Sequence, residues 1–464
     1  MNYKPVLILA LIFPASILAV AQSPDNSPGN SVDERPRIVA DENGPELSPT
    51  PSPTPFAPVV ITKTDRPVYP PPSTPTPTPV YRPAPPTSTA TPIYVPRVTP
   101  TPAIVTANDY LSERVLPPPT YNGKLLNIAA LKAKLNEARS YMQSRPMQIS
   151  SVENVATMST DTVRIAALDT ATSRMHYILT SKTSFLSRDL QFFASTSEGK
   201  NVTVRVVRVN GVNTAVTVTD ERNQSLLPII VQYPVERNGV FYEMAYYSSA
   251  HPGTISAEVA YYGKMYLRNI IDTARQNLKQ KGVFISPQVA DIAERLCTVE
   301  HVDHYRFNNE FQLGLFNEIF TLFALNEGNT YRYAVSTAGA GGLVQMIPST
   351  YSMVRNRHFN VGLIPNFVDG MRNHSNAAQA MLLYMQDTWN DLSSSSDVLD
   401  AMSQGYATQA ELMSAGYNSN PARLPGYIRR GGANWKFLIP RETQIYHRIY
   451  ASLDKFVPMT PRAK

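Results

Sequence analysis

Cysteine is nearly absent from this chain: Cys297 is the only one in 464 residues. No disulfide can therefore form within the chain, and the fold has to rest on a packed core, for which the length is ample. Cys297 lies among Ile292, Ala293 and Leu296, the setting of a buried inert thiol rather than of a nucleophile. No cysteine stands near the N-terminus, so lipid attachment there is not expected. Charged residues make up only 17% of the chain. No dense Lys/Arg cluster interleaved with aromatics occurs, which argues against nucleic acid as a partner. The Gly-x-x-x-x-Gly-Lys-Ser/Thr signature of a phosphate cradle is missing too. Aspartate and glutamate vanish altogether between residues 328 and 368.

What is present begins with an export signal. Lys4 supplies a positive start, Val6 to Val20 is almost wholly apolar, and Ala19-Val20-Ala21 offers a small-x-small cleavage site. The alternative is an uncleaved membrane anchor. Against it, the run is shorter than the ~20 residues of a spanning helix, and Pro14 interrupts it. The net charge of +6 suits a surface working among anionic polymers. Proline then crowds one region: 26 of the 40 prolines fall between residues 22 and 120. Such a stretch cannot bury enough apolar surface to fold. It is expected to populate extended polyproline II, with a reach of about 250 Å.

Past the linker the patterning changes twice. Asn127 to Tyr141 has helical spacing, with Ile128, Leu131, Leu135 and Ala138 on one face. Val202–Val209 and Val212–Thr219 flank Asn210-Gly211, a two-residue hairpin signal, and Asn238-Gly239 separates Ile229–Val235 from Val240–Tyr247. Residues 150–262 thus read as antiparallel β, a sandwich or small barrel. Tyr246, Tyr247, Tyr261 and Tyr262 can be read as a sugar-stacking platform or as ordinary strand aromatics, the reading favoured by strand composition. From residue 265 the spacing is helical, with segments near 265–281, 287–298, 308–327, 343–356, 374–391, 407–417 and 441–453. The expected fold class is therefore α+β multidomain. Its parts are a signal at 1–21, a disordered Pro-rich linker at 22–120, a helix plus β-rich domain at 121–264, a mostly α domain at 265–455 and a tail at 456–464.

The chemistry concentrates at the end of one apolar helix. Phe311 to Leu325 is apolar nearly all round, and Glu327 stands just past it, followed by Gly328 at a position suited to a left-handed cap. Apolar surface and the negative end of a helix dipole are the surroundings a general acid requires. Ser336-Thr-Ala-Gly339-Ala-Gly-Gly342-Leu-Val-Gln345 follows, and its small residues let a polymer approach the backbone closely. Glu318 is a rival acid without a following motif, read as a satisfied helix residue. Glu300-His301-x-x-His304 lacks a further ligand set, so surface histidines are expected rather than a metal site.

Glu327 followed nine residues later by Ser-x-Ala-Gly-Ala-x-Gly-Leu-x-Gln resembles the catalytic core of the lytic transglycosylases with a goose-lysozyme-like fold. Two further motifs stand in that family's order. Ala415-Gly-Tyr417-Asn418-Ser-Asn420-Pro resembles its Ala-x-Tyr-Asn-x-Gly-Pro, and Glu442-Thr443-Gln444-Ile-Tyr446 resembles its Glu-Thr-Arg-x-Tyr. The likeness covers roughly residues 300 to 453. It implies that Glu327 is the single catalytic acid/base, that Ser336 and Tyr417 orient it, and that Gln345 and Asn418 line a glycan groove. Gly339, Gly342, Glu442 and Tyr446 would be structural members of the motifs. Three positions depart from the pattern: Gly328 replaces Ser, Asn420 replaces Gly, and Gln444 replaces Arg. Asn420 is expected to keep a left-handed turn, which asparagine tolerates.

The implied activity is cleavage of peptidoglycan between N-acetylmuramic acid and N-acetylglucosamine, leaving 1,6-anhydro ends. The expected setting is the periplasm or cell envelope, with no cofactor, no metal and no nucleic acid. Peptidoglycan strands are the expected partner, with envelope proteins reached through the β-rich domain or linker. The alternatives are a lysozyme-type hydrolase using a second acid, such as Asp369 or Asp387, and a non-catalytic wall-binding scaffold.

Overall fold

A computed structural model describes residues 120–147, 160–237, 240–328, 330–331 and 338–463. The expected signal, the linker up to residue 119 and Ser336 lie outside the described residues. Those described from Tyr121 onward belong to one compact unit of mixed α and β structure. No helix among them is long and apolar enough to cross a membrane.

Helix α1 (Ile128–Ser144) comes first, its start capped by Asn127, whose side chain accepts from the Ala130 amide. Seven strands follow: β1 (Thr162–Asp169), β2 (Arg174–Ser181), β3 (Gln191–Ser195), β4 (Asn201–Arg208), β5 (Ala215–Asp220), β6 (Ser225–Arg237) and β7 (Val240–Tyr247), with a short helix α2 (Lys182–Phe185) after β2. They form one antiparallel sheet in the order β2-β1-β6-β5-β4-β3, with β7 pairing the far half of β6. The sheet curls until its edges touch: Ile178 bridges Thr196, and the Ser197 amide donates to the Tyr177 carbonyl at 2.8 Å. This is the barrel-like alternative rather than two stacked sheets. Alternation on β4 turns Val202, Val204 and Val206 inward, against Val216, Val218 and Phe185.

The two hairpin signals behave differently. Arg237 pairs Val240, so β6 and β7 join through a two-residue connection at 238–239. At Asn210-Gly211 the expected two-residue turn is not made. The ladder ends at Arg208 with Ala215, and a 3-10 turn over Gly211–Asn213 fills a longer loop, with the Thr214 hydroxyl donating to the Gly211 carbonyl at 2.6 Å. Val212 and Asn213 are buried there, so packing overrides the short-range turn preference.

The helices are α3 (Ala257–Gln280), α4 (Pro287–Val299), α5 (His304–Asn309), α6 (Gln312–Leu325), α7 (Pro348–Arg357), α8 (Phe367–Arg372), α9 (His374–Ser393), α10 (Ser396–Ser403), α11 (Gln409–Asn418), α12 (Leu424–Gly431) and α13 (Arg441–Phe456). Most starts carry local signals: Ser286 caps α4 with Pro287 behind it, and Thr408 with Glu411 forms a capping box on α11. Helix α3 begins eight residues before the expected 265. Tyr261 and Tyr262 therefore lie on a helix, not on a strand.

Helices α3 and α6 make the tightest crossing. A Cβ on Gly263 would lie 1.8 Å from the Phe320 carbonyl oxygen, so only glycine allows this approach. A single apolar cluster runs from the sheet interior (Val204, Val218) through α3, α4 and α6 to Tyr446 and Leu453. A second cluster seats Leu131, Leu135, Ala138 and Met142 of α1 against β1, β6, Val259 and the last residues of α6, Ala324 and Leu325. The C-terminal segment docks as well. Val457 and Met459 are buried, and Arg462 meets Asp272 at 2.6 Å, Asp291 at 2.8 Å and Glu294 at 2.6 Å.

Candidate active site

The end of α6 is held by Asn326. Its buried side chain accepts from the Ser248 amide at 3.0 Å and donates to the carbonyls of Ser248 and Leu322 at 2.8 and 2.9 Å. The chain then turns outward at Glu327, and Gly328 takes the left-handed conformation at φ +83°. Gly328 is pinned from both sides. Its amide donates to the Tyr266 hydroxyl at 2.7 Å, and its carbonyl accepts from the His374 amide at 3.0 Å. The Tyr266 hydroxyl lies 2.6 Å from Nδ1 of His374. Burial pushes that phenol up to about 12 and holds the His374 imidazole down to about 4. The hydroxyl accepts from Gly328 and its own proton points to a neutral imidazole. Two residues distant in sequence thus fix the backbone at Gly328.

The Glu327 carboxylate does not face a purely apolar cleft. Its Oε2 lies 2.5 Å from Nζ of Lys132 on α1, with each side chain 28% exposed. The same ammonium reaches the Tyr262 hydroxyl at 2.7 Å and stands 4.0 Å from the centre of that ring. Partial burial works against the charge on Lys132, but the bonds to Glu327 and Tyr262 outweigh it and hold the proton more tightly than usual. Glu327 Oε1 is buried and has no hydrogen-bond partner among the described residues.

The small-residue turn lies along the strand of chain that follows Glu327. The Gly342 amide donates to the Tyr331 carbonyl at 2.8 Å, and Gly341 bridges Met346. Gly339 and Gly342 are left-handed at φ +78° and +73°, and a Cβ on Gly342 would meet the Met371 carbonyl oxygen at 2.5 Å. Gln345 is left-handed as well, at φ +50°, an unusual state for a residue with a side chain. Its amide is buried and donates back to the Gly342 carbonyl at 2.8 Å. Gln345 therefore braces the turn from within, whereas the resemblance placed it along a groove.

The other motif residues tie the turn to the helices. The Tyr417 hydroxyl donates to the Val344 carbonyl at 2.6 Å; among the described residues this is its bond, rather than one to the Glu327 carboxylate. Asn418 accepts from the Thr443 hydroxyl at 2.8 Å, joining α11 to α13. Tyr446 is fully buried and donates to Glu300 at 2.6 Å. Glu442 sits exposed in the first turn of α13, where a negative charge suits the helix dipole. Gln444, standing for an arginine, donates to the Ile439 and Phe437 carbonyls at 2.9 and 3.3 Å. Asn420 has φ −81°, so no left-handed turn is kept; its side chain instead caps the following 3-10 turn. Ser336 lies outside the described residues.

One expectation for the neighbouring residues is corrected. His301 and His304 are not surface histidines. His304 is buried, and His301 Nε2 lies 3.0 Å from the Leu343 carbonyl, which can only accept, so the ring carries its proton there. Burial holds His301 down to about 4. Among the described residues no three His, Cys, Asp or Glu side chains are grouped as a metal would require. Asp387 is engaged with His358 at 2.8 Å and Arg357 at 3.2 Å. Glu318 is bound by Arg306 at 2.9 Å through both oxygens and also by Arg208.

Lys132, Tyr266 and His374 had no signal in the sequence, and Tyr262 was noted only among a group of aromatics. Lys132 lies 195 residues before Glu327, on a helix whose apolar face alone was informative. No local pattern signals such a pairing. Comparison of the chain with family models, with curated proteins and with solved structures returns no match.

Proposed function

We propose that this protein is an exported enzyme of the cell envelope that cleaves peptidoglycan as a lytic transglycosylase, with Glu327 as its acid and base. One observation carries the reading. The three motifs, spread over more than a hundred residues, are joined by direct hydrogen bonds, Tyr417 to Val344 and Thr443 to Asn418, beside the turn that follows Glu327.

In the proposed reaction Glu327, as the acid, gives its proton to the glycosidic oxygen as the bond from that oxygen to C1 of the muramoyl residue breaks. The resulting carboxylate takes the proton of the C6 hydroxyl, whose oxygen bonds to C1 and closes the 1,6-anhydro ring. One proton leaves the enzyme, one returns, and no water is consumed. A single carboxyl group suffices, unlike the two that flank the bond in ordinary glycosidases.

The deciding experiment is mass spectrometry of products released from purified peptidoglycan by the protein and by Glu327→Gln. Anhydro-muropeptides from the unmutated protein alone support the proposal. Ordinary reducing ends would make it a hydrolase with a second carboxylate. Binding to sacculi without release would make it a scaffold.

A further inference from the structure

Lys132 has no place in the reaction just proposed, yet it occupies the group that reaction depends on. Its ammonium takes up Oε2 of Glu327 at 2.5 Å, and Oε1 is turned inward. A glycosidic oxygen needs to come within hydrogen-bond reach of this carboxyl group to be protonated. The ammonium competes with it for Oε2.

The lysine cannot leave with its helix. Leu131, Leu135, Ala138 and Met142 are at most 4% exposed and fasten α1 to the sheet and to the end of α6. Only the side chain is free to pivot, on a four-carbon stem. Its side chain is partly open to solvent, and the Tyr262 ring and hydroxyl support the ammonium from one side. An ammonium withdrawn from this half-exposed pair is taken up by water or by another anion, and only an anion recovers the energy of the pair. A neutral aminosugar polymer offers hydroxyls and amides, which are poor replacements. A strand that carries lactyl or peptide carboxylates offers an equivalent partner.

We propose that Lys132 is a specificity residue, releasing Glu327 in exchange for a carboxylate on the bound glycan. This rests on the reading of Glu327 as the catalytic group. It makes the ion pair a filter: an acidic strand unlocks the carboxyl group by occupying the lysine, and chitin-like strands leave it locked. The role is one of positioning and discrimination, since Lys132 takes no part in the bond-making steps.

Binding separates this proposal from the reaction itself. Calorimetric titration of a muramic-acid-containing disaccharide peptide and of neutral chitotetraose would be run on the unmutated protein, Lys132→Met, Lys132→Arg and Glu327→Gln. Glu327→Gln frees the lysine from its internal partner, so the acidic ligand should bind about fivefold more tightly than to the unmutated protein. Lys132→Met should weaken it by a similar factor, Lys132→Arg should restore it, and chitotetraose should bind all four alike. Equal affinity of the acidic ligand for all four overturns the proposal. So do parallel changes for both ligands, or no binding of the acidic ligand at all. Cleavage assays on the same proteins report on the reaction separately: absence of anhydro-muropeptides from the unmutated protein would sink the transglycosylase reading and leave the binding result standing.

Discussion

Two carboxylates nine residues apart, Glu318 within α6 and Glu327 just beyond its end, are paired in opposite ways. Glu318 is gripped through both oxygens by the planar fork of Arg306 and again by half-buried Arg208, at the junction of helix and sheet. Glu327 meets one flexible amine through one oxygen, at a surface partly open to water. A saturated, bidentate arginine pair holds a fold together. A single lysine contact on a half-open carboxylate can be exchanged, as a reactive group requires. The surrounding pairing, more than the acid itself, tells the structural carboxylate from the chemical one.

The sharpest way to break this comparison is to remove each charge in turn. Glu327→Gln should lower peptidoglycan cleavage by at least about a thousandfold, the scale of a lost general acid, while thermal unfolding stays nearly in place. Glu318→Gln should do the reverse. Arg208 would lose its carboxylate and Arg306 would keep only Glu310, which should cost about 3 kcal/mol of stability, read by denaturant titration, with cleavage per folded molecule largely kept. If both substitutions acted mainly on stability, Glu327 would be a structural residue too.

Acid should separate the regions further. Burial holds His251, His301, His374 and His447 down to about 4, against 6.5 for an unfolded chain. A depressed imidazole is neutral in the fold and binds a proton on unfolding. Its stabilising contribution is therefore complete above pH 6.5 and lost as pH falls toward 4. Calorimetric melting temperatures should fall steadily across that window, and a flat profile would show that these rings are hydrated. The smallest expected effect is that of Tyr417→Phe, which removes the bond to Val344. It should cost about 1 kcal/mol of stability and, under the proposed function, raise KM for glycan more than it lowers kcat.

Local patterns were the legible part. Helix α4 follows from Ser286-Pro287 and an apolar repeat, and the β6–β7 hairpin from a two-residue gap between apolar runs. In each, the deciding interactions span only a few residues. The order of the three motifs was legible for the same reason. The inward turn of Gln345 was not, because its left-handed backbone arises only once the turn packs over Met371 and Tyr331. Nor was the longer loop at Asn210-Gly211, where burial of Val212 and Asn213 prevails over the turn preference.

By itself, then, the amino-acid order determined the helices of ten residues or more, four of the seven strands and the position of one carboxylate after an apolar helix, since periodicity and capping act over one or two turns. Only the tertiary structure decided what that carboxylate touches. Lys132 reaches it because four apolar residues of α1 have nowhere to be buried except between the sheet and the end of α6. Burial of apolar area is blind to sequence distance, and so it can carry a charge across 195 residues to a partner that no motif announces.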